Sequence, residues 1–410
     1  MSVWSKWKRF GVGLSGIAPW SYFAGGSSAS GKSVTDYSAL QLAAAWACVR
    51  LNSEAVASTP VHLFERDGKG GRNRVDHPLA TIISDSPNSE QTAFEFWGAI
   101  AAWLMVRGNA FAEIDRTGGR LTSLNIIPAD QVQVARNEAH DLRYRFTDRN
   151  KLIDLPAESV LHIRGFGFGG DLGLSPITFG VQTLGGAIAA DEAAGKLFGN
   201  GAMPSGILQT EHELSDVQRK QLSGILKQYS SSTNAGKVMV LESGLKFEQL
   251  SLNPEDMQML ETRRFHIEEI CRWFGVPPII IGHAAQGQTM WGTGVEALII
   301  QWLTTGLNPL FTRIEKRIGK QLLVPGERSR YYAEFSRESL LQADSAAKIA
   351  FLSGAVQNGL MTRNEGRAKL NLPAVDGGDA LTAQTNLAPL EQLGATDPRD
   401  TMRNALGIDQ

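Results

Sequence analysis

The string Gly26-Ser-Ser-Ala-Ser-Gly-Lys-Ser33 is the strongest candidate for chemistry in this sequence. It fits the pattern G-x-x-x-x-G-K-[ST], in which backbone amides cradle phosphates, the lysine reaches their outer oxygens and the hydroxyl holds magnesium. A phosphate-binding loop must follow a buried strand and open a helix. Here the preceding segment is short and broken by Pro19, and the next helix is predicted to begin several residues late, near Asp36. A nucleotide-binding enzyme that uses Gly26 to Ser33 is therefore the alternative hypothesis, not the favoured one.

Other residues that often carry chemistry occur without a recognisable arrangement. No metal-binding spacing such as H-E-x-x-H relates the histidines, which are His62, His77, His140, His162, His212, His266 and His283. No G-x-S-x-G motif occurs. Cys48 and Cys271 lie on predicted apolar helix faces and are expected to be reduced core residues. The sequence therefore predicts no catalytic residue, metal site or cofactor, and indicates a protein that is not an enzyme.

Length and composition indicate a soluble protein with more than one lobe. The chain has 410 residues, 42% of them hydrophobic and 20% charged, and its formal net charge is -2. This charge argues against a protein that holds nucleic acid by neutralising phosphates, but not against one that DNA slides past. No apolar run approaches the ~20 residues of a membrane span. Basic residues precede a weakly apolar N-terminal segment, but glycines and Pro19 interrupt it, so we expect residues 1–33 to form a flexible arm.

The part of the chain before Ser175 alternates between helical and strand patterns. A helix is predicted from Tyr37 to Ser58, before Pro60, and another from the capping box Thr92-Ala-Phe-Glu95 to Gly108. Strands are predicted at Val61 to Glu65, Ala110 to Asp115, Leu121 to Ile127, Gln131 to Ala135 and Val160 to Ile163. The fold class of this lobe is therefore α+β.

Two long helices follow, with a small module between them. The first opens at Ser175-Pro176 and runs to about Asn200, and it contains interior glycines, which cost ~1 kcal/mol each against alanine and indicate that other backbones approach closely. The second runs from the N-cap Asn253 to Gly275. The module is predicted as a strand at Gly206 to Gln209, a helix from Ser215 to Tyr229, and a hairpin of Lys237 to Glu242 with Leu245 to Leu250. This β-α-β-β insertion indicates a module held at the end of a two-helix stalk, in which the two helices would run antiparallel.

A polar loop, His283 to Thr293, follows the second helix and contains no carboxylate, lysine or arginine. Met290 and Trp291 in its tip favour a loop that touches a partner, and the alternative is an ordinary mobile surface loop. A helix is predicted from Val295 to Leu323 with a kink at Pro309.

The predicted apolar stripe of that helix is Ile299, Leu303, Leu307, Leu310, Ile314 and Ile318. Its basic residues, Arg313, Lys316, Arg317 and Lys320, form a solvated face or contact phosphate. A strand at Tyr331 to Phe335, two short helices at Ala343 to Gly354 and Asn364 to Leu370, and a polar tail complete the chain.

Many collinear segments resemble the portal proteins, the head-to-tail connectors of tailed bacteriophages. They include AWACVRLNSEAVASTPVHLFE, FEFWGAIAAWLMVRGNAFAEI, VLHIRGFG, GLSPI and LMTRNEGRAKLNLPAVDGGD, and the similarity runs from about Ala45 to Asp379. The resemblance implies an α+β portal-like fold with two antiparallel stem helices. Its expected divisions are the arm (1–33), wing (34–174), first stem helix (175–203), clip (204–252), second stem helix (253–282), tunnel loop (283–294), a connecting helix and strand (295–338), and crown with C-terminal tail (339–410).

The resemblance also implies a function as an assembly protein of the virion, built in the bacterial host cytoplasm. About twelve copies would form a ring at one capsid vertex, through which double-stranded DNA passes non-specifically during packaging and ejection. Expected partners are the terminase large subunit, head-tail adaptors, and the major capsid and scaffold proteins, with a role in nucleating procapsid assembly and no membrane partner. The residues expected to face the channel are Gln286, Gln288, Thr289, Met290, Trp291 and Thr293. A loop without charges lets a polyanion pass without deep electrostatic traps.

Overall fold

The computed structural model describes residues 26–66, 72–199, 207–209, 215–217, 219–220, 246–248, 254–283, 293–337, 345–370 and 372–382. The chain divides into two compact units, 1–336 and 337–410.

Nine helices are named in the first unit. They are α1 (Asp36–Leu40), α2 (Ala43–Ser58), α3 (Pro78–Ser84), α4 (Ala93–Arg107), α5 (Pro176–Phe179), α6 (Val181–Gly199), α7 (Pro254–Phe274), α8 (Thr293–Gln301) and α9 (Asn308–Gln321). Short 3-10 turns occupy Ala157–Ser159 and Pro278–Ile281, and a π-helical segment, Trp302–Leu307, joins α8 to α9. Residues 216–217 and 219–220 are also helical, in agreement with a helix beginning after Ser215.

The strands of this unit are β1 (Gly26–Ser27), β2 (Ser33–Val34), β3 (Val61–Arg66), β4 (Arg72–Arg74), β5 (Asn109–Thr117), β6 (Arg120–Ile127), β7 (Gln133–Arg136), β8 (Leu142–Asp148), β9 (Lys151–Pro156), β10 (Val160–Arg164), β11 (Ile207–Gln209), β12 (Lys246–Glu248) and β13 (Tyr331–Phe335). They form three-stranded sheets in the orders β13-β3-β4, β10-β5-β6 and β7-β8-β9, and the two-stranded pairs β1-β2 and β11-β12. Every pairing is antiparallel. The predicted α+β class is confirmed.

Local signals in the sequence set several of these boundaries. The Thr92 side chain accepts from the backbone of Glu95, the Glu95 carboxylate accepts in return, and α4 ends at Gly108 with φ +68. Ser175 caps α5 with Pro176 in its first turn. The predicted single helix from Tyr37 to Ser58 is instead two helices, because the backbone of Leu42 is extended (φ -70, ψ 120) between α1 and α2.

Among the described residues of the first unit, two apolar clusters bear on the helices and sheets discussed below. The larger one joins α1, α2, α4, α6 and α7 through small and branched side chains such as Ala45, Val49, Leu184 and Ile270. The second lies between β5 and the sheet β7-β8-β9, around Phe111. The last strand of this unit, β13, pairs with β3, and Phe335 lies opposite Val61. This pairing joins the C-terminal end of the unit to a strand near its N-terminal end.

The segment α8 to α9 departs from the predicted kinked helix. Leu307, Leu310, Ile314 and Ile318 are buried as predicted, but Ile299 is 37% exposed, so its place in the stripe is wrong. The irregularity lies in the π-helical residues Trp302–Leu307, and Pro309 follows directly within the continuous helix, where its missing N–H removes one helical hydrogen bond.

The second unit contains α10 (Ser345–Gln357) and α11 (Arg363–Lys369). Thr362 caps α11 in a capping box with Glu365. The Asn364 amide donates to the Val375 carbonyl (3.0 Å), and its oxygen accepts from the Val375 amide (2.9 Å). This residue therefore holds the turn after α11 against the helix. Residues 383–410 of the predicted tail lie outside the described residues.

Candidate functional site

Helices α6 and α7 form an antiparallel pair. Gly180, before α6, lies against Trp273 near the end of α7, and Gly186 lies against His266. Further along α6, Asp191 accepts from the Arg263 guanidinium at 3.0 Å. As the residue number increases along α6, the number of the residue contacted on α7 decreases. The predicted antiparallel direction is therefore confirmed.

The glycines of this pair allow the side chains of α7 to approach the backbone at the start of α6. Close approach was predicted because interior glycines destabilise a helix and need a compensating contact. A Cβ at Gly180 would lie 3.2 Å from the Trp273 indole, and one at Gly186 would lie 3.1 Å from the His266 ring. The indole Nε1 also donates to Thr183 Oγ1 at 3.3 Å. The small residues therefore admit the large side chains of α7 between the helix backbones.

The phosphate-loop-like string forms a β-hairpin instead of a strand, loop and helix. β1 pairs with β2 through Ser27 opposite Ser33, and Gly31 takes φ +77 in the turn. The Ser28 amide donates to the Lys32 carbonyl at 2.9 Å, and the Lys32 ammonium forms an ion pair with Glu192. The lysine is thus engaged with α6, and the string has no phosphate-loop geometry. The prediction that residues 26–33 belong to a flexible arm is also wrong, because the hairpin is fixed on α6.

The hairpin explains a further glycine of α6. A Cβ at Gly185 would lie 2.2 Å from Ser28 Oγ, and the Gly185 carbonyl accepts from Ser30 Oγ at 3.0 Å. Gln182 Oε1 accepts from the Ala29 amide at 2.9 Å. One face of α6 therefore receives the hairpin and another receives α7.

Both predicted core cysteines are buried free thiols, and they meet between α2 and α7. Their sulfurs lie 3.9 Å apart. The contact in which the Cys48 thiol donates to the Cys271 sulfur, together with burial, raises the pKa of Cys48. Both sulfurs therefore pack within the apolar core between α2 and α7.

Asn52 joins the two segments that flank the predicted tunnel loop. Its amide donates to the Phe274 carbonyl at the end of α7 (3.1 Å), and its oxygen accepts from Trp302 Nε1 (2.8 Å). Gly275 follows α7 with φ +65, and a Cβ at Gly306 would lie 2.7 Å from its carbonyl. The end of α7 and the π-helical segment are thus held together by a buried amide and by two glycines.

The residues proposed to face a channel fall mostly between these anchored segments. Gln286, Gln288, Thr289, Met290 and Trp291 lie outside the described residues, and Thr293 is the first residue of α8. His283 is described, and its backbone amide donates to the Pro278 carbonyl at 3.0 Å, which closes the 3-10 turn. Their role stays a prediction.

Sequence reasoning missed a buried polar network around His162, whose Nδ1 and Nε2 lie 3.0 Å from Tyr144 Oη and from Asn109 Oδ1. The Asn109 amide nitrogen already donates to the carbonyls of Arg107 and Gly173, so its oxygen must accept from Nε2–H. This leaves His162 neutral, with Nδ1 accepting from the Tyr144 hydroxyl. Burial, with a smaller effect of Arg164, lowers the pKa of His162 well below its usual value, and burial raises the pKa of Tyr144 to about 12. The available signal was a histidine inside an otherwise apolar strand.

The basic residues of α9 divide into two pairs. Lys316 and Lys320 are exposed, as a solvated face predicts. Arg313 and Arg317 are half-buried, and burial lowers the pKa of both; the positive charge of Arg164 lowers that of Arg317 further. Within the part of the chain that the structure describes, no three His, Cys, Asp or Glu residues cluster as metal ligands would. Among the same residues, no helix combines the length and apolar character needed to cross a bilayer.

Comparison with known proteins shows which family the chain resembles. A family model described as phage portal protein matches residues 43–371. The chain is 34% identical over 373 residues to the portal protein of Enterobacteria phage HK97, covering 90% of this chain and 88% of that protein. It is 29% identical to the probable portal protein of Streptomyces phage phiC31, covering 87% and 80%.

Solved structures share the fold. A chain from the virion of a native gene transfer agent particle matches with a TM-score of 0.61 at 21% identity, over 83% of this chain and 94% of that one. A chain from the neck of the native particle, computed with C12 symmetry, matches with a TM-score of 0.56 at 22% identity, over 81% and 91%. An HK97-family portal protein from Corynebacterium diphtheriae matches with a TM-score of 0.50 at 22% identity, over 77% and 100%.

Proposed function

The chain belongs to the phage portal protein family, the head-to-tail connectors, and we propose that about twelve copies form a ring at one capsid vertex through which the genome is packaged and later ejected. The observation that carries this proposal is the family match over residues 43–371. That span includes both helices of the α6–α7 pair, the insertion between them and the polar loop after them. The C12 symmetry of the gene transfer agent neck supports the subunit number.

Within this proposal, the pair α6–α7 is the stem that surrounds the axis. The glycines at and before the start of α6 support this assignment because they bring α7 and the β1–β2 hairpin close to α6 within one copy of the chain. Residues 204–252 form the clip, and its described strands β11 and β12 pair with each other between the two stem helices. The wing is 34–174, the connecting helix and strand are 295–338, and the crown with the tail is 339–410.

The tunnel loop, 283–294, faces the channel in this arrangement. Gln286, Gln288, Thr289, Met290 and Trp291 carry no formal charge, so each offers DNA polar or apolar contact without counterion release. Asn52 and Gly306 support this assignment because they hold together the segments on either side of the loop.

The same proposal assigns the partners. The clip meets the terminase large subunit during genome packaging and head-tail adaptors afterwards. The wing and crown contact the major capsid and scaffold proteins, and the ring nucleates procapsid assembly in the host cytoplasm before it becomes part of the virion. In this proposal the chain catalyses no reaction. The terminase large subunit supplies the energy that moves the DNA.

Imaging the purified full chain by negative stain, with native mass measurement, tests the ring. We expect rings of about twelve subunits with a central hole. A stable monomer or dimer that binds ATP with magnesium would overturn the proposal in favour of the nucleotide-binding alternative at Gly26 to Ser33. Lys32→Ala separates the two further, because a portal keeps its assembly and DNA packaging whereas a nucleotide-binding enzyme loses ATP binding.

Deleting Gln286 to Gly292 tests the tunnel loop. We expect the ring to assemble and the amount of packaged or retained DNA to fall, because the deletion removes only residues between two anchored segments. The matched control replaces the same seven residues by glycine and serine, which keeps the length and removes the side chains. Normal DNA packaging by both variants would contradict a role for this loop.

A further inference from the structure

Cys48 on α2 and Cys271 on α7 face each other inside the larger apolar cluster of the first unit. Their sulfurs lie 3.9 Å apart, and both residues are 0% exposed. They are the only two cysteines of the chain, although 223 positions separate them. Two free thiols in contact are the reduced form of a disulfide, so this pair can do chemistry that neither cysteine can do alone.

The gap between the two sulfurs is small enough for side-chain rotation to close it. A disulfide bond is about 2.05 Å long, so the sulfurs must approach each other by roughly 2 Å. Each sulfur is moved by a single torsion angle, χ1, and rotation of both side chains can supply this approach. Asn52, one turn after Cys48, donates to the Phe274 carbonyl at 3.1 Å. This buried bond holds the two helices together beside the thiols.

The two thiols take different roles in their contact. The Cys48 thiol donates to the Cys271 sulfur, and this contact lowers the pKa of Cys271, although burial and Glu268 oppose the shift. The same contact, together with burial, raises the pKa of Cys48. The thiolate is the nucleophile in thiol chemistry. Cys271 is therefore the sulfur that reacts first, and Cys48 is the neighbour that resolves the product.

We propose that Cys48 and Cys271 are a peroxide-reactive pair that closes to a disulfide within the folded chain and ties α2 to α7. The Cys271 thiolate first attacks an oxygen of hydrogen peroxide. The S–O bond forms, the O–O bond breaks, and hydroxide leaves and takes up the thiol proton, which gives a sulfenic acid and water. The Cys48 sulfur then attacks the Cys271 sulfur. The S–S bond forms, the S–O bond breaks, and a second water leaves with the Cys48 proton. One peroxide is thus reduced to two waters.

A peroxide fits this site better than a disulfide oxidant does. Hydrogen peroxide is small and uncharged, whereas a disulfide such as oxidised glutathione must bring a bulky, charged peptide against a fully buried sulfur. The host cytoplasm keeps thiols reduced, so we expect the bond to form after the particle leaves the cell. This timing rests on the proposed function, but the chemistry of the pair does not.

The bond would join a helix of the proposed wing to the proposed second stem helix. It would close a loop between positions 223 apart, and a crosslink of this kind stabilises a protein mainly by restricting its unfolded chain. We therefore expect oxidation to raise the melting temperature by about 5 °C or more. Because the bond is reversible, a reductant should return the melting temperature to its original value.

The test treats the purified full chain with hydrogen peroxide and follows its intact mass, its thiols after unfolding and its melting temperature. We expect the mass to fall by two hydrogen atoms and the titratable thiols to fall from two to none. A denaturing gel without reductant should still show single chains. A phosphine reductant should restore both thiols. A bulky maleimide applied to the folded chain for the same time is the control, and it should label neither cysteine, because the reaction with peroxide needs no unfolding.

Two matched variants separate the roles of the sulfurs. Cys48→Ala should stop at a sulfenic acid on Cys271 that dimedone traps, and Cys271→Ala should react with peroxide at least about tenfold more slowly. Equal rates for the two variants would contradict the assigned order of reaction. Intact thiols after peroxide, a disulfide between chains, maleimide labelling as fast as oxidation, or a lower melting temperature would each overturn the inference. Rings in negative stain are a separate observation, so these failures leave the proposed function standing.

Discussion

The helix pair α6–α7 and the base of the loop after β10, residues 165–174, both bring backbones close through glycine, but different interactions fix them. In the helix pair, Gly180 and Gly186 admit a tryptophan and a histidine from α7, and the contact is completed by an apolar core. At the loop base, Gly108 and Gly173 meet backbone to backbone, and Asn109 completes the contact through hydrogen bonds.

Because different interactions fix the two regions, we expect them to lose different amounts of stability when a residue is substituted. Apolar packing around α6 and α7 is non-directional, so the helices can adjust by small shifts when a side chain changes. The loop base has directional bonds between buried groups, and a shift leaves polar atoms without partners, at a cost of about 1–3 kcal/mol for each. We therefore expect the loop base to tolerate change poorly and the helix pair to tolerate it better.

The largest effect is expected for Gly108→Ala. A Cβ there would lie 2.0 Å from the Leu174 carbonyl oxygen, and Gly108 also takes φ +68. Backbone strain of about 1–2 kcal/mol and overpacking of about 3 kcal/mol should together lower the free energy of unfolding by about 4 kcal/mol. Urea unfolding followed by circular dichroism measures this change.

Gly118→Ala is the matched control for that variant. Gly118 takes a similar φ, +60, but has no atom within 4 Å of the position of a Cβ. It should therefore show only the strain, about 1–2 kcal/mol. Equal losses for the two variants would mean that Leu174 moves away freely and that the loop base is as adjustable as the helix pair.

His162→Phe should be next in size, because it leaves Tyr144 and Asn109 without their shared partner. We expect a loss of about 3 kcal/mol at pH 8. Because the folded-state pKa of His162 lies well below the ordinary histidine value of about 6.5, the unfolded chain binds the proton more readily. This contribution to wild-type stability is therefore complete above pH 6.5 and is lost as pH falls towards the folded pKa, by up to about 1.4 kcal/mol per pH unit.

The pH dependence separates this role from simple packing. The difference in stability between wild type and His162→Phe should shrink between pH 7 and pH 5, since the variant lacks the titrating group. Tyr144→Phe is the control: it breaks the network too, but Tyr144 has its pKa raised to about 12 and does not titrate in that range. A constant difference for His162→Phe across this range would contradict a neutral, buried His162.

Gly185→Ala and Gly195→Ala should change stability in opposite directions. A Cβ at Gly185 would lie 2.2 Å from Ser28 Oγ, so the hairpin must shift, at a cost of about 2 kcal/mol. Gly195 faces open space, and alanine there should gain up to about 1 kcal/mol from helix propensity. Thermal unfolding of both variants shows whether each substitution raises or lowers the stability of the fold. Stabilisation by Gly185→Ala would show that the hairpin is not held against α6.

Helix starts and ends that depend on residues adjacent in the sequence were predicted correctly. The capping box at Thr92, the left-handed stop at Gly108 and the Ser175-Pro176 start were all read from adjacent residues, and the structure has each of them. The second long helix and the antiparallel direction followed from punctuation and from the insertion between the helices. The first helix was predicted to be continuous from Ser175-Pro176, but it is interrupted at Gly180 between α5 and α6. The glycines of α6 were also recognised as sites of close approach, although their partners were not.

The missed elements depend on contacts between distant residues. The hairpin β8–β9 turns at Arg149 and Asn150 with φ of 46° and 63°, without the glycine that usually marks such a turn. Its strands are held by Asp154, which accepts from Arg143 (2.8 Å) and Arg145 (2.9 Å) across the pair. The His162 network and the Asn52 bridge likewise join residues far apart in the chain, so periodicity within one segment cannot reveal them.

The smallest effect is expected for the ion pair between Asp191 and Arg263, which crosses the helix pair at 3.0 Å with both side chains substantially exposed. Water screens this attraction, so a double-mutant cycle with Asp191→Ala and Arg263→Ala should give a coupling of about 0.5 kcal/mol, and less in 1 M salt. A coupling above about 2 kcal/mol would place the stability of α6–α7 in directional contacts, as at the loop base, and would remove the contrast between the two regions. A small value leaves the apolar core and the glycine contacts as the source of the pair's stability, in which case charges on this face can vary without loss of the fold.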